Sequence, residues 1–171
     1  MGKPNKNTLT LLASIILILF LGCKVSYVPM SKKPYNGSEF RLNGYYYEPH
    51  ETTLHIHFFY PDGTVLFWGN TNYDSSKIET TLLRLEELFK MEKRNETIYP
   101  NHYIWSAFEV IGEEIKMKSW AMSESFKKGI YETSLIIIND SLLLDNDSTE
   151  PRYLHFKKFS DKPSNDSCPI K

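Results

Sequence analysis

His55 and His57 alternate with Leu54, Ile56 and Phe58, so an extended chain carries both imidazoles on one face. Two imidazoles at that spacing, with His50 nearby, are the beginning of a transition-metal site. A closed site needs three or four ligands, and nothing in the spacing brings His102 or His155 to the pair. The plainer reading is two partly exposed histidines on a polar strand face. Glu109, Glu113, Glu114 and Glu132 offer material for a carboxylate pair, but acids at turns and on outward strand faces are also ordinary surface residues. There is no Gly-x-Ser-x-Gly elbow and no glycine-rich phosphate loop. The sequence therefore reads as a non-enzyme without cofactor or metal, His55 and His57 being its only candidate metal ligands.

The residue with the clearest chemistry is Cys23. Lys3 and Lys6 precede an apolar run, Leu9–Leu21, which is followed by Gly22 and Cys23. A short basic segment, a run below the ~20 residues of a membrane-spanning helix, and a small residue at its end make a secretory signal. The ending Leu-Phe-Leu-Gly-Cys resembles the lipobox of bacterial lipoproteins. That resemblance implies acylation of the Cys23 thiol, cleavage before it, and anchoring by acyl chains such as palmitate, each buried CH₂ contributing about 0.8 kcal/mol. Lys24, standing where an Asp favours retention in the inner membrane, implies the outer membrane. An ordinary cleaved signal with Cys23 as a bystander, or a short uncleaved anchor, remains open at this level.

Four segments follow: 1–22 as signal peptide, 23–40 as lipidated cysteine and tether, 41–160 as a folded domain, and 161–171 as a disordered tail. Without Lys3 and Lys6 the formal charge of −1 becomes two units more negative, which gives the domain no basic face for nucleic acid. With Cys23 lipidated, Cys168 is left single, so the fold does not depend on a disulfide. Of the Asn-x-Ser/Thr sequences, Asn36, Asn95, Asn139, Asn146 and Asn165, each reads as turn or loop chemistry in a bacterial chain.

Within 41–160 a two-residue period dominates. Strands are expected at 45–47, 53–60, 64–68, 103–111, 115–121, 130–138, 141–144 and 152–159, with Pro61-Asp62-Gly63 as a tight turn. Between the third and fourth, Ile78, Leu82, Leu85, Leu88 or Phe89, and Met91 recur at helical spacing over Lys77–Lys93, with Ser76 and Glu79 as a capping box. Every connection is local. The expected fold is mostly β, an antiparallel up-and-down meander of about eight strands, a barrel or half-barrel with one inserted amphipathic helix.

The run Trp105-Ser106-Ala107-Phe108-Glu109-Val110-Ile111-Gly112-Glu113-Glu114-Ile115-Lys116-Met117, with Trp120 beyond it, resembles a pattern of small lipocalin-like lipoproteins of the Bacteroidetes type. Phe59–Val65 and Tyr153–Phe159 fit the same plan. The resemblance implies location and architecture, since that family has no settled biochemical activity. Tyr45, Tyr47, Phe67, Trp68, Tyr103, Trp105, Phe108, Trp120 and Tyr131 are candidates to line a cavity or to fill a solid core. The expected function is a lipid-anchored envelope module that binds a small apolar molecule or an envelope protein. The alternative is an accessory subunit of an envelope complex with no small ligand.

Overall fold

Alternating aromatic and β-branched residues can bury one strand face and, given a second covering layer, the other as well. This chain does both. The structure is a computed structural model that describes residues 30–72, 74–95, 103–122, 128–147, 150–166 and 168–170. Cys23, the leader and His102 lie outside the described residues. The strands are β1 (Gly44–His50), β2 (Thr53–Phe59), β3 (Thr64–Asn72), β4 (Tyr103–Ile111), β5 (Glu114–Met122), β6 (Lys128–Asn139), β7 (Leu142–Asp145) and β8 (Arg152–Lys158). Each pairs antiparallel with the next, and β1 pairs with β8, closing an eight-stranded barrel. Closure leaves no open sheet edge, so the half-barrel option falls away.

The helix α1 (Ile78–Asn95) lies between β3 and β4. Its start differs from the expected capping box. Asp74 caps a preceding 3-10 turn, Ser75–Lys77, its carboxylate accepting from Ser76 N at 3.0 Å and Ser76 Oγ at 2.7 Å. Asp is as good a cap as Ser and sits two residues earlier, where it meets the first free N–H groups. Leu82, Leu85 and Phe89 are buried, while Leu88 and Met91 are exposed.

What α1 covers explains the sequence of the first three strands. Tyr45, Leu54, Ile56, Phe58, Tyr60 and Leu66 form one cluster with Leu82, Leu85, Phe89 and Phe159, on the outside of the barrel. Tyr45 Oη donates to Glu86 Oε1 at 2.8 Å, and Lys157 Nζ lies 3.3 Å from both Glu79 and Glu86. A different set points inward: Tyr46, Phe59, Val65, Phe108, Ile115, Leu135, Leu143 and Leu154. Each such side chain contributes about 1.5–3 kcal/mol by leaving water.

The N-terminal segment is more than a tether. Tyr35 and Phe40 belong to the interior cluster and stop one end of the barrel, Phe40 stacking on Tyr35 at 4.9 Å and meeting Phe59 edge-on at 5.1 Å. Tyr35 N donates to Pro61 O at 2.8 Å, and Lys32 Nζ to Asp62 at 2.8 Å, so the 61–63 turn receives this segment. The expectation of a disordered tail over 161–171 is also corrected for its described residues, 161–166 and 168–170. Lys162 Nζ donates to Leu42 O and Phe59 O, both at 2.7 Å, Tyr60 Oη donates to Pro163 O at 2.8 Å, and Ile170 is 5% exposed against Met30 and Ala107. The tail has no periodic apolar face because it packs through single residues, which periodicity does not detect.

On the far side of the barrel the outer face is charged. Lys118 pairs with Glu132 at 3.1 Å, Lys116 with Glu114 at 3.6 Å, and Glu109 with Lys33. Paired charges of this kind differ from the apolar belt that a membrane barrel presents. Among the described residues no helix is long and apolar enough to cross a membrane.

Candidate functional site in the barrel lumen

The interior is filled only at the plugged end. Beyond Phe59 and Phe108, the other half holds a cavity of about 310 Å³ lined in part by Val65, Phe67, Ile104, Met117, Leu135 and Tyr131. Its polar lining comes from Glu48 on β1, His55 and His57 on β2, Asp145 on β7 and Arg152 on β8, with Ser106, Ser119 and Thr133 opposite. Strand register assembles the charged group. Glu48 stands across from His55 in the β1–β2 ladder, and Asp145 across from Arg152 in the β7–β8 ladder. Closure of β1 onto β8 then brings the two pairs together.

Arg152 sits between the carboxylates. Its Nη2 donates to Asp145 Oδ2, and its Nη1 lies 3.0 Å from Glu48 Oε1 in a geometry that makes an ion pair but no hydrogen bond. The guanidinium Nε has no hydrogen-bond partner among the described residues. Glu48 is 3% exposed; burial works to raise its carboxyl, but His55 and Arg152 outweigh that and hold it below the usual carboxylate range. His55 Nδ1 is 3.6 Å from Glu48 Oε2, and its ring stacks on His50 with centroids 6.0 Å apart.

His57 is the unusual group. It is 8% exposed, lies between the rings of Phe59 and Phe67, and among the described residues has no hydrogen-bond partner at Nδ1 or Nε2. Burial pushes its pKa down to about 4, so the imidazole is neutral and offers one N–H donor and one bare acceptor. A buried polar group without a partner costs about 1–3 kcal/mol, and a fold retains one where something else satisfies it.

His55 and His57 do share a face, but it is the barrel interior and not a polar outer surface, because α1 takes the apolar face of β2. Among the described residues, no group of three or more His, Cys, Asp or Glu side chains is arranged to hold a metal ion. His155, on β8, lies tilted against Tyr47 with ring centroids 5.6 Å apart and does not join the pair. Glu109, Glu114 and Glu132 pair with separate lysines on the outer face and form no carboxylate dyad. Of the aromatic candidates, Phe67 and Tyr131 line the cavity and Phe108 lies in the filled half. Tyr45, Tyr47, Trp68, Tyr103 and Trp105 instead pack outside with α1, and the Trp120 side chain lies outside the described residues.

Sequence reasoning missed Glu48, Asp145 and Arg152. Each keeps phase with buried neighbours: Glu48 with Tyr46, Asp145 with Leu143, and Arg152 with Leu154. A charge in phase with a buried face is a detectable signal, but it becomes a site only once the strand order is known. No protein-family model, no curated protein and no solved structure matches the chain.

Proposed function

We propose that this chain is a lipid-anchored envelope module whose barrel holds one small molecule in its lumen, with an apolar body and a polar head. The observation that carries it is the cavity of about 310 Å³, apolar on one wall, whose other wall includes His57 with neither ring nitrogen hydrogen-bonded among the described residues. That volume is at the lower end of the range for small-molecule sites, and convergent polar groups in an otherwise apolar pocket are what fix a ligand's orientation. The envelope location rests on the leader and Cys23 and on the resemblance to small lipocalin-like lipoproteins, and the charged outer face of β5 and β6 suits a domain held in water beside a membrane.

Native mass spectrometry of the full chain, followed by organic extraction, tests the lumen. The expected result is a bound small molecule, or enhancement of an apolar fluorophore that Thr133→Trp abolishes by filling the cavity. An adduct-free chain that leaves the fluorophore dark would overturn the binding module in favour of an accessory subunit. The anchor is tested separately: Cys23→Ser is expected to abolish lipid labelling and release the protein from membranes with its melting temperature unchanged. A Ser variant that still resists alkaline extraction would show a different anchor.

A further inference from the structure

The charges that face the lumen indicate what the head of the ligand is. Six titratable side chains line the cavity: Glu48, His55, His57, Tyr131, Asp145 and Arg152. β3, β4 and β5 add no charged side chain to it. Two carboxylates therefore stand against one guanidinium, and the guanidinium is shared between both. Among the described residues that line the cavity, an arriving anion finds no free cation. It would have to displace Glu48 or Asp145 from Arg152 and leave that carboxylate buried without its partner, which is costly in a low-dielectric site.

A cation meets the opposite situation. Among the described residues Glu48 Oε1, 3.0 Å from Arg152 Nη1, receives no hydrogen bond, and His57 presents an unpartnered acceptor nitrogen in the same cavity. Phe67 lies against both imidazoles, at 5.3 Å from His55 and 5.0 Å from His57, and offers an aromatic surface to a positive group. We propose that the lumen is a site for a small organic amine, its ammonium donating to Glu48 and His57 and its apolar body lying along Phe67, Ile104 and Met117. This rests on the lumen-binding reading and adds to it the sign of charge that the site selects.

Three probes with one body separate the cases: phenylpropylamine, phenylpropanol and phenylpropionate. Each is titrated calorimetrically into the full chain at about pH 8, where an ordinary imidazole carries no charge. The amine is expected to bind about tenfold more tightly than the alcohol, the advantage of a charge-assisted over a neutral hydrogen bond. The propionate is expected to bind more weakly than either, and Thr133→Trp to abolish all binding. Glu48→Gln should reduce the amine to the affinity of the alcohol and leave the alcohol unchanged. If that variant melts early, Asp145→Asn is the second variant, and the probe series on the unaltered chain stands without either. An alcohol that binds as tightly as the amine, or a propionate that binds best, would overturn the cationic head while leaving lumen binding intact. If no probe binds and none displaces an apolar fluorophore, both readings fall.

Discussion

His57 is buried against the rings of Phe59 and Phe67. Its pKa is lowered from 6.5 to about 4 by burial, so the folded state resists a proton that the unfolded chain accepts. Stability from this residue is fully present above pH 6.5 and is lost progressively as the pH falls towards 4, by roughly 3 kcal/mol. Glu48 acts in the same direction, since its lowered pKa makes the charged form part of the fold. His57→Phe isolates the histidine. The variant is expected to lose less of its melting temperature than the parent between about pH 7 and pH 4.5. Equal losses would mean that His57 gains a proton partner in acid.

At the scale of elements, the tight turns differ although both contain glycine at positive φ. Gly63 has φ 85°, and an added Cβ would lie 2.0 Å from the backbone oxygen of Lys33. Gly112 has φ 64° and open space around it. Gly112→Ala should therefore cost only the left-handed backbone penalty, about 1 kcal/mol. Gly63→Ala must also push away the N-terminal segment and is expected to cost roughly 3 kcal/mol or more, adding overlap to the same penalty. Urea unfolding of the two variants measures the difference, and equal midpoints would show that the 33–35 segment yields freely. The Asp-Gly turn itself was legible from its residues, although only Gly63 takes the positive φ expected of both, while Asp62 Oδ1 accepts from Thr64 N at 3.1 Å and Thr64 Oγ1 at 2.6 Å. That Lys33 lies over it was not, since the contact joins residues 30 positions apart.

For the molecule as a whole, the two ends of the described chain act as parts of the barrel. Tyr35 and Phe40 plug the lumen, and the tail crosses the outside to bury Ile170 beside Met30. Ile170→Ala is expected to destabilise the protein by about 2 kcal/mol, the usual cost of truncating a buried aliphatic side chain. Deleting residues 162–171 should cost more, because it also removes Lys162 from two carbonyls and leaves Tyr60 Oη without its acceptor. A tail deletion that leaves the urea midpoint unchanged would show that these contacts add nothing to the fold.

The sequence by itself determined the strands, the helix and the meander, because periods of two and 3.6 residues and local turn chemistry are short-range properties of the chain. It also determined that His55 and His57 share a face. Only the tertiary structure decided which face is inside. β2 has a wholly apolar side, Leu54-Ile56-Phe58, and a mixed side, His55-His57-Phe59, and a barrel considered alone would turn the first inward. α1 supplies a second apolar layer outside, takes the apolar side for itself, and leaves the histidines to the lumen. Glu48, Asp145 and Arg152 meet there because β8 closes onto β1, joining residues about 100 positions apart that no local pattern connects.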